Sequence, residues 1–383
     1  MKIAPKPMRH AASCLTLVLL LISSAYAHRK DVSLTKKVEV RQAASPQIKV
    51  QITNKYGRLD IRTWDKDSLW MQAQITATGR DRTQAERVLG RVHIQYDASP
   101  KHLSAQTQYQ SGGDGGGQPA LINSFMNMLT DTKVVLNQSN VTVDYTLYVP
   151  RAAILNLDNK FGDLIIGDLD GSLQLSLAHG NLRAGKIDGA RTHIRLNFGE
   201  GKIADLKAAT LDVQFAQLTI EKGGELRWKG ISSELRAKDL QQLDCIDSRK
   251  DKMHIQTLQK LKGRSQFSKI EVWQLHQSLQ FDAAFGELDI QQLDQNFETF
   301  DLTADKSNVF LQINRQTSYR MEVNAPDDRF DFPDIWQQFL ADNDPMTENA
   351  LVGGIRIIRG SVGSSPTGLL HIRTQGGRLT IQD

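Results

Sequence analysis

Two carboxylates and an imidazole recur at one repeat distance in this chain: His254, Glu271 and Asp289 lie 17 and 18 residues apart. On one surface such a set does general acid–base work, and paired carboxyl groups flanking a glycosidic bond are the machinery of polysaccharide hydrolysis. Trp273, two residues beyond Glu271, adds an aromatic platform for a sugar or a partner chain. The plainer expectation is a solvated polar ladder, because outward positions on half-buried strands are polar by default. The four residues are therefore read as surface-binding candidates, and none is assigned a catalytic role.

Other chemistries find little support. Nine His residues are scattered without metal-binding spacing, so no metal or cofactor is expected. The glycine run at 112–117 lacks the lysine of a phosphate-binding loop and reads as a linker, and no nucleophile elbow is present. A leader at residues 1–27 is expected from basic Lys2, Lys6 and Arg9, an apolar run at 14–22 and small residues at Ala25 and Ala27. Its removal leaves Cys245 as the last cysteine, excluding an internal disulfide. The leader holds three of the 47 basic residues and no acid, leaving 44 against 43. Near-neutral charge without a basic, aromatic-laced run speaks against nucleic acid. No second long apolar stretch follows, so no transmembrane segment is expected after cleavage.

The elements that must position the candidates appear when aromatic-Gly pairs are aligned. From Phe161-Gly162, apolar residues fall at plus three, five and eight: Leu164, Ile166 and Leu169. The pattern restarts from His179, Phe198, Phe215, Ser232, Lys250, Phe267 and Phe285, at intervals of 18, 19, 17, 17, 18, 17 and 18 residues. Side chains on a strand alternate faces, so plus three and plus five share an inward face. A second alternation, such as Leu173, Leu175 and Leu177, gives each repeat two short strands. One unit cannot bury its apolar face alone; stacked units can. The fold class is thus all-β, a parallel β-solenoid with rungs of about 18 residues and short capping helices, its hand taken as right from the general rule for parallel crossovers.

In this reading the corner aromatics stack as core. The plus-four residues face outward, and the row includes Arg236, His254, Glu271 and Asp289. Trp228 and His276 become candidates only if the corners turn them onto that face. The expected divisions are the leader 1–27, an N-terminal β-rich cap at 28–150 with a Gly-rich loop at 111–117, a regular solenoid at 151–325, and a helical interruption with C-terminal strands at 326–383. Asp81 is placed to cap a helix through Leu89. Helical spacing of Leu121, Ile122, Phe125, Met128 and Leu129, and again of Ile335, Trp336 and Phe339, suggests covers for sheet edges.

The segments NKYGRLDIRTW at 54–64, ITATG at 75–79, LYVP at 147–150 and NKFGDLIIGDLDG at 159–171, with the rungs that follow, resemble the “putative adhesin” β-strand-repeat family of Bacteroidetes-like bacteria over residues 36–383. The resemblance implies an extracytoplasmic, β-helical and non-catalytic protein, and it carries over no site residues. The chain departs from that pattern at Ser232 and Lys250, where a looser or differently turned rung is expected. The leading expectation is an exported binding scaffold whose partner is an envelope or extracellular protein or glycan, in the periplasm, at the outer-membrane surface or beyond it. A carbohydrate-active β-helix enzyme and a periplasmic structural or sensing component are the alternatives.

Overall fold

An 18-residue period with two inward positions on a short strand closes a core only if each repeat pairs with the next in register, and the chain does this. The computed structural model describes residues 31–110, 140–336 and 347–383. The leader, the loop at 111–117, the segment at 121–129 and Phe339 lie outside the described residues. The described chain forms 26 strands, the nine-residue helix Arg82–Gly90, a single 3-10 turn and a helical stretch at 334–336. The protein is an all-β solenoid built on parallel pairing.

Each coil pairs with its neighbours through both of its strand regions. Leu218, Leu235, Met253, Ile270 and Leu288 occupy one inward row, at most 1% exposed. Ile220, Ala237, Ile255, Val272 and Ile290 form the row beside it. From Glu200–Gln214 to Lys269–Ala284 the strands run 15 or 16 residues, passing a bend unbroken. Coils of unequal length stay in register through irregularities at Trp228/Lys229, Cys245/Ser248 and Leu258/Lys260, where the ladder skips residues.

The repeating corner corrects one expectation. Every landmark residue, from Tyr56 to Phe285 and on to Lys306, has φ between 48° and 61°, a conformation that non-glycine residues seldom adopt. This left-handed turn points the landmark side chain out of the coil and the following residue in. Phe198 and Phe267 are accordingly 50% and 56% exposed, so the aromatic landmarks are not core. Their rings stack outside the corner instead, with centroids 5.3 Å apart for Tyr56–Phe161, 4.8 Å for Phe161–His179, 4.9 Å for His179–Phe198 and 5.2 Å for Phe198–Phe215. That spacing is the rung-to-rung step of about 4.8 Å. Inside the corner, backbones nearly touch: a Cβ on Gly180 would fall 2.2 Å from the Gly162 carbonyl oxygen.

Ser232 and Lys250 turn as the aromatics do, with φ of 52° and 57°. They are not differently turned. Behind them Ser233 and Asp251, like Ser268 behind Phe267, stand where other rungs have glycine, and all three are buried. Asp251 accepts hydrogen bonds from Trp228 Nε1 (3.0 Å), the Ser233 N–H (2.9 Å) and Ser248 Oγ (2.8 Å).

The ends depart from simple coiling. At the N-terminal end, Leu59–Trp64 joins the parallel stack through Leu164–Ile166, while Val32–Ala43, Ser68–Gly79 and Val141–Pro150 form an antiparallel extension. Asp81 caps the helix Arg82–Gly90, accepting from the Gln84 N–H at 2.7 Å. At the other end, Gly368–Gln375 inserts between Thr299–Asp305 and Tyr319–Pro326. The hairpin Glu348–Val352 and Ile355–Val362 continues antiparallel beyond Tyr319–Pro326. Trp336 is fully buried there and donates to Tyr319 Oη at 2.8 Å.

Candidate functional site

The plus-four row is a physical row. Arg236, His254, Glu271 and Asp289 are consecutive Cα partners on four adjacent strands, all pointing away from the core. Between this row and the plus-six residues runs a shallow groove of about 640 Å³, lined by His254, Gln256, Glu271, Trp273, Asp289 and Gln291. A second hollow of about 450 Å³ continues it past Arg236 and Lys238. Trp273 stands on the groove 62% exposed.

The electrostatics divide the two carboxylates. Glu271 is gripped from both sides: Lys269 Nζ lies 2.9 Å from Oε1, and His254 Nδ1 lies 2.6 Å from Oε2. Its pKa is held below the ordinary range, first by Lys269 and, against some burial, also by His254. Asp289 is shifted the opposite way, raised by burial, with Glu271's charge adding to the rise and the Gln291 amide (2.7 Å) opposing it.

The surroundings show how ordinary the His254–Glu271 contact is. His276 Nδ1 lies 2.9 Å from Asp294, and His371 Nδ1 lies 2.9 Å from Asp301. Arg195 meets Asp212 at 3.3 Å on the next coil. Pairing of base with acid across adjacent strands is therefore the habit of the outer faces. The groove is also open to water.

Among the other sequence candidates, Trp228 is in the core, fully buried with its indole N–H on Asp251. His276 is a quarter exposed and paired with Asp294. Cys245 is buried, and that burial pushes its thiol pKa well up, which leaves it inert. Among the described residues no three His, Cys, Asp or Glu side chains gather as metal ligands, and no helix is long and apolar enough to cross a membrane.

Sequence reasoning missed two surface features. One is the exposed aromatic stack, whose signal is the corner φ rather than any residue type. The other is a cluster of Trp64, Trp70 and Tyr148 near the N-terminal end. Its legible sign is alternation on Ser68–Gly79, where Leu69, Met71 and Ala73 are buried and Trp70 must face out.

No protein-family description matches this chain, and no curated protein does. Among solved structures, a “putative cell adhesion protein” from Clostridium sporogenes is similar at 10% identity and a TM-score of 0.18, over 91% of this chain and 99% of that one. A “putative adhesin” from Parabacteroides distasonis is similar at 10% identity and a TM-score of 0.29, over 72% of this chain and 93% of that one. At those scores neither likeness decides fold or function.

Proposed function

We propose that the chain is an exported, non-catalytic binding scaffold of adhesin type, whose solenoid presents the His254–Glu271–Trp273–Asp289 face to an extended ligand at the outside of the cell. The observation that carries the reading is the unbroken register of the outward rows. A flat face that adds one outward side chain per rung offers evenly spaced contacts along its length, which suits a polymer better than a small substrate. Saturation of Glu271 by Lys269 and His254 supports a holding role over a reacting one. The basic, apolar and small-residue order of positions 1–27 supports export.

The test is co-sedimentation of the purified chain with isolated bacterial envelopes and insoluble polysaccharides. Wild type is expected to pellet with at least one of them, and Trp273→Ala to weaken that binding about tenfold, the effect of losing one good stacking contact. Equal binding by wild type and Trp273→Ala to every material would remove this face from the account.

One observation favours a second reading. Adjacent carboxylates whose pKa values are pushed apart mark acid and base roles in glycoside hydrolysis. On that reading Asp289 is the acid, Glu271 its ionised partner, and the protein a polysaccharide hydrolase. New reducing ends in the co-sedimentation supernatants, absent with Glu271→Gln, would establish it; none from wild type would end it.

A further inference from the structure

A second concavity, of about 560 Å³, lies on the antiparallel extension and is built from other strands than the His254 face. Four strands each place one residue in a single cross-strand row: Arg41 opposite Trp70, Trp70 opposite Tyr148, and Tyr148 opposite Arg62. The row is outward, because the intervening Leu69, Met71, Leu147 and Val149 are the buried set. Trp64 closes one side, its ring centroid 5.2 Å from that of Tyr148 and tilted 41°; Trp70 stands 5.4 Å away on the other side, tilted 52°. The three rings make a concave apolar floor, half-exposed at positions where this fold otherwise places polar side chains.

The rim carries a small cationic excess, because Lys66 lies 5.1 Å over the Trp64 ring while both arginines are paired. Arg41 lies over the Trp70 ring and Arg62 over the Tyr148 ring, 5.8 and 5.5 Å from the centroids. Each guanidinium is held by a carboxylate from the neighbouring outward position: Arg41 by Glu39 at 2.6 Å, and Arg62 by Asp60 at 2.8 Å. Arg62 also donates to Tyr148 Oη at 2.8 Å, and Trp64 Nε1 donates to the Ser68 carbonyl at 2.8 Å. Trp70 Nε1 donates to Glu39. These bonds fix the rings and cations in place before any ligand arrives, which lowers the entropic cost of binding.

These features select a ligand class. Both guanidiniums are neutralised and a single lysine is left, too little positive charge for the many phosphate or carboxylate contacts that nucleic acid and acidic polymers need. The hollow, about 560 Å³, is of small-molecule size. What remains is a compact, uncharged group with an apolar face for the rings and a belt of hydroxyls for Arg41, Gln42 and Ser68 at its edge. A pyranose ring has both. We propose that the Trp64–Trp70–Tyr148 cleft is a carbohydrate subsite that takes neutral pyranose residues of a glycan. It stands independently of the reading given to the His254 face.

The test is titration of the purified chain with cellohexaose, maltohexaose, mannohexaose, chitohexaose and, as the acidic comparison, a polygalacturonate oligomer, followed by tryptophan fluorescence and calorimetry. At least one neutral oligosaccharide is expected to bind. Trp70→Ala should weaken it about tenfold or more, with Phe198→Ala, an exposed ring on the corner stack, unchanged. Gln42→Ala, outside the ring packing, serves as a second probe should Trp70→Ala fail to fold, and is expected to weaken binding severalfold. The proposal is overturned if no neutral oligosaccharide binds at millimolar concentration, if only the acidic oligomer binds, or if folded variants bind as wild type does.

Discussion

At the scale of single residues, Asp251 shows what the core of this solenoid tolerates. A carboxylate 1% exposed between coils is stable because Trp228, Ser233 and Ser248 supply three donors. Its pKa is nevertheless raised from 3.8, because burial outweighs those bonds. A raised folded-state pKa means that the proton binds the native form more tightly than the unfolded one. The stability it contributes is full below the unfolded value and is lost as pH rises through the folded one. Urea unfolding of wild type and Asp251→Asn across acid to neutral pH should therefore show wild type's relative stability falling as pH rises; a flat or rising difference would contradict the assignment. None of this was legible beforehand. Lys250 marked the rung, but a missing aromatic says nothing about which polar groups meet behind it.

Among the elements, the corner decides the fold's tolerance. Apolar alternation identified the inward rows, such as Leu218 with Ile220, because period two is a property of the strand itself. It did not reveal that the aromatic landmarks lie outside, since the side on which a corner residue falls depends on its φ, and only the turn geometry carries that. The same geometry brings glycines face to face inside. Gly180→Ala would drive a methyl to 2.2 Å from the Gly162 oxygen and is expected to cost about 2–3 kcal/mol, in the range of core overpacking. Gly90→Ala, in the helix and with nothing within 4 Å of the added carbon, should be neutral or stabilise by up to about 1 kcal/mol. Denaturant melts of the pair check this, and equal losses would show that corner contact is not the cause.

On the scale of the whole molecule, regular coiling and the in-register surface row of His254, Glu271 and Asp289 follow from the repeat distance alone, which is why both were readable in advance. The ends were not. Insertion of Gly368–Gln375 between strands earlier in the chain, and the meeting of Arg41, Trp70 and Tyr148 on one face, join residues far apart in sequence. No local pattern encodes such pairings. The consequence is a solenoid with two separate outward surfaces, a polar ladder and an aromatic cleft.

On the proposed reading, both surfaces meet their ligands outside the cell. Protease treatment of intact cells producing a C-terminally tagged chain tests it most directly, with a known periplasmic protein as the control for lysis. Loss of the tagged chain while the control survives is the expected result. Protection of both would place the protein inside the envelope and contradict the claim.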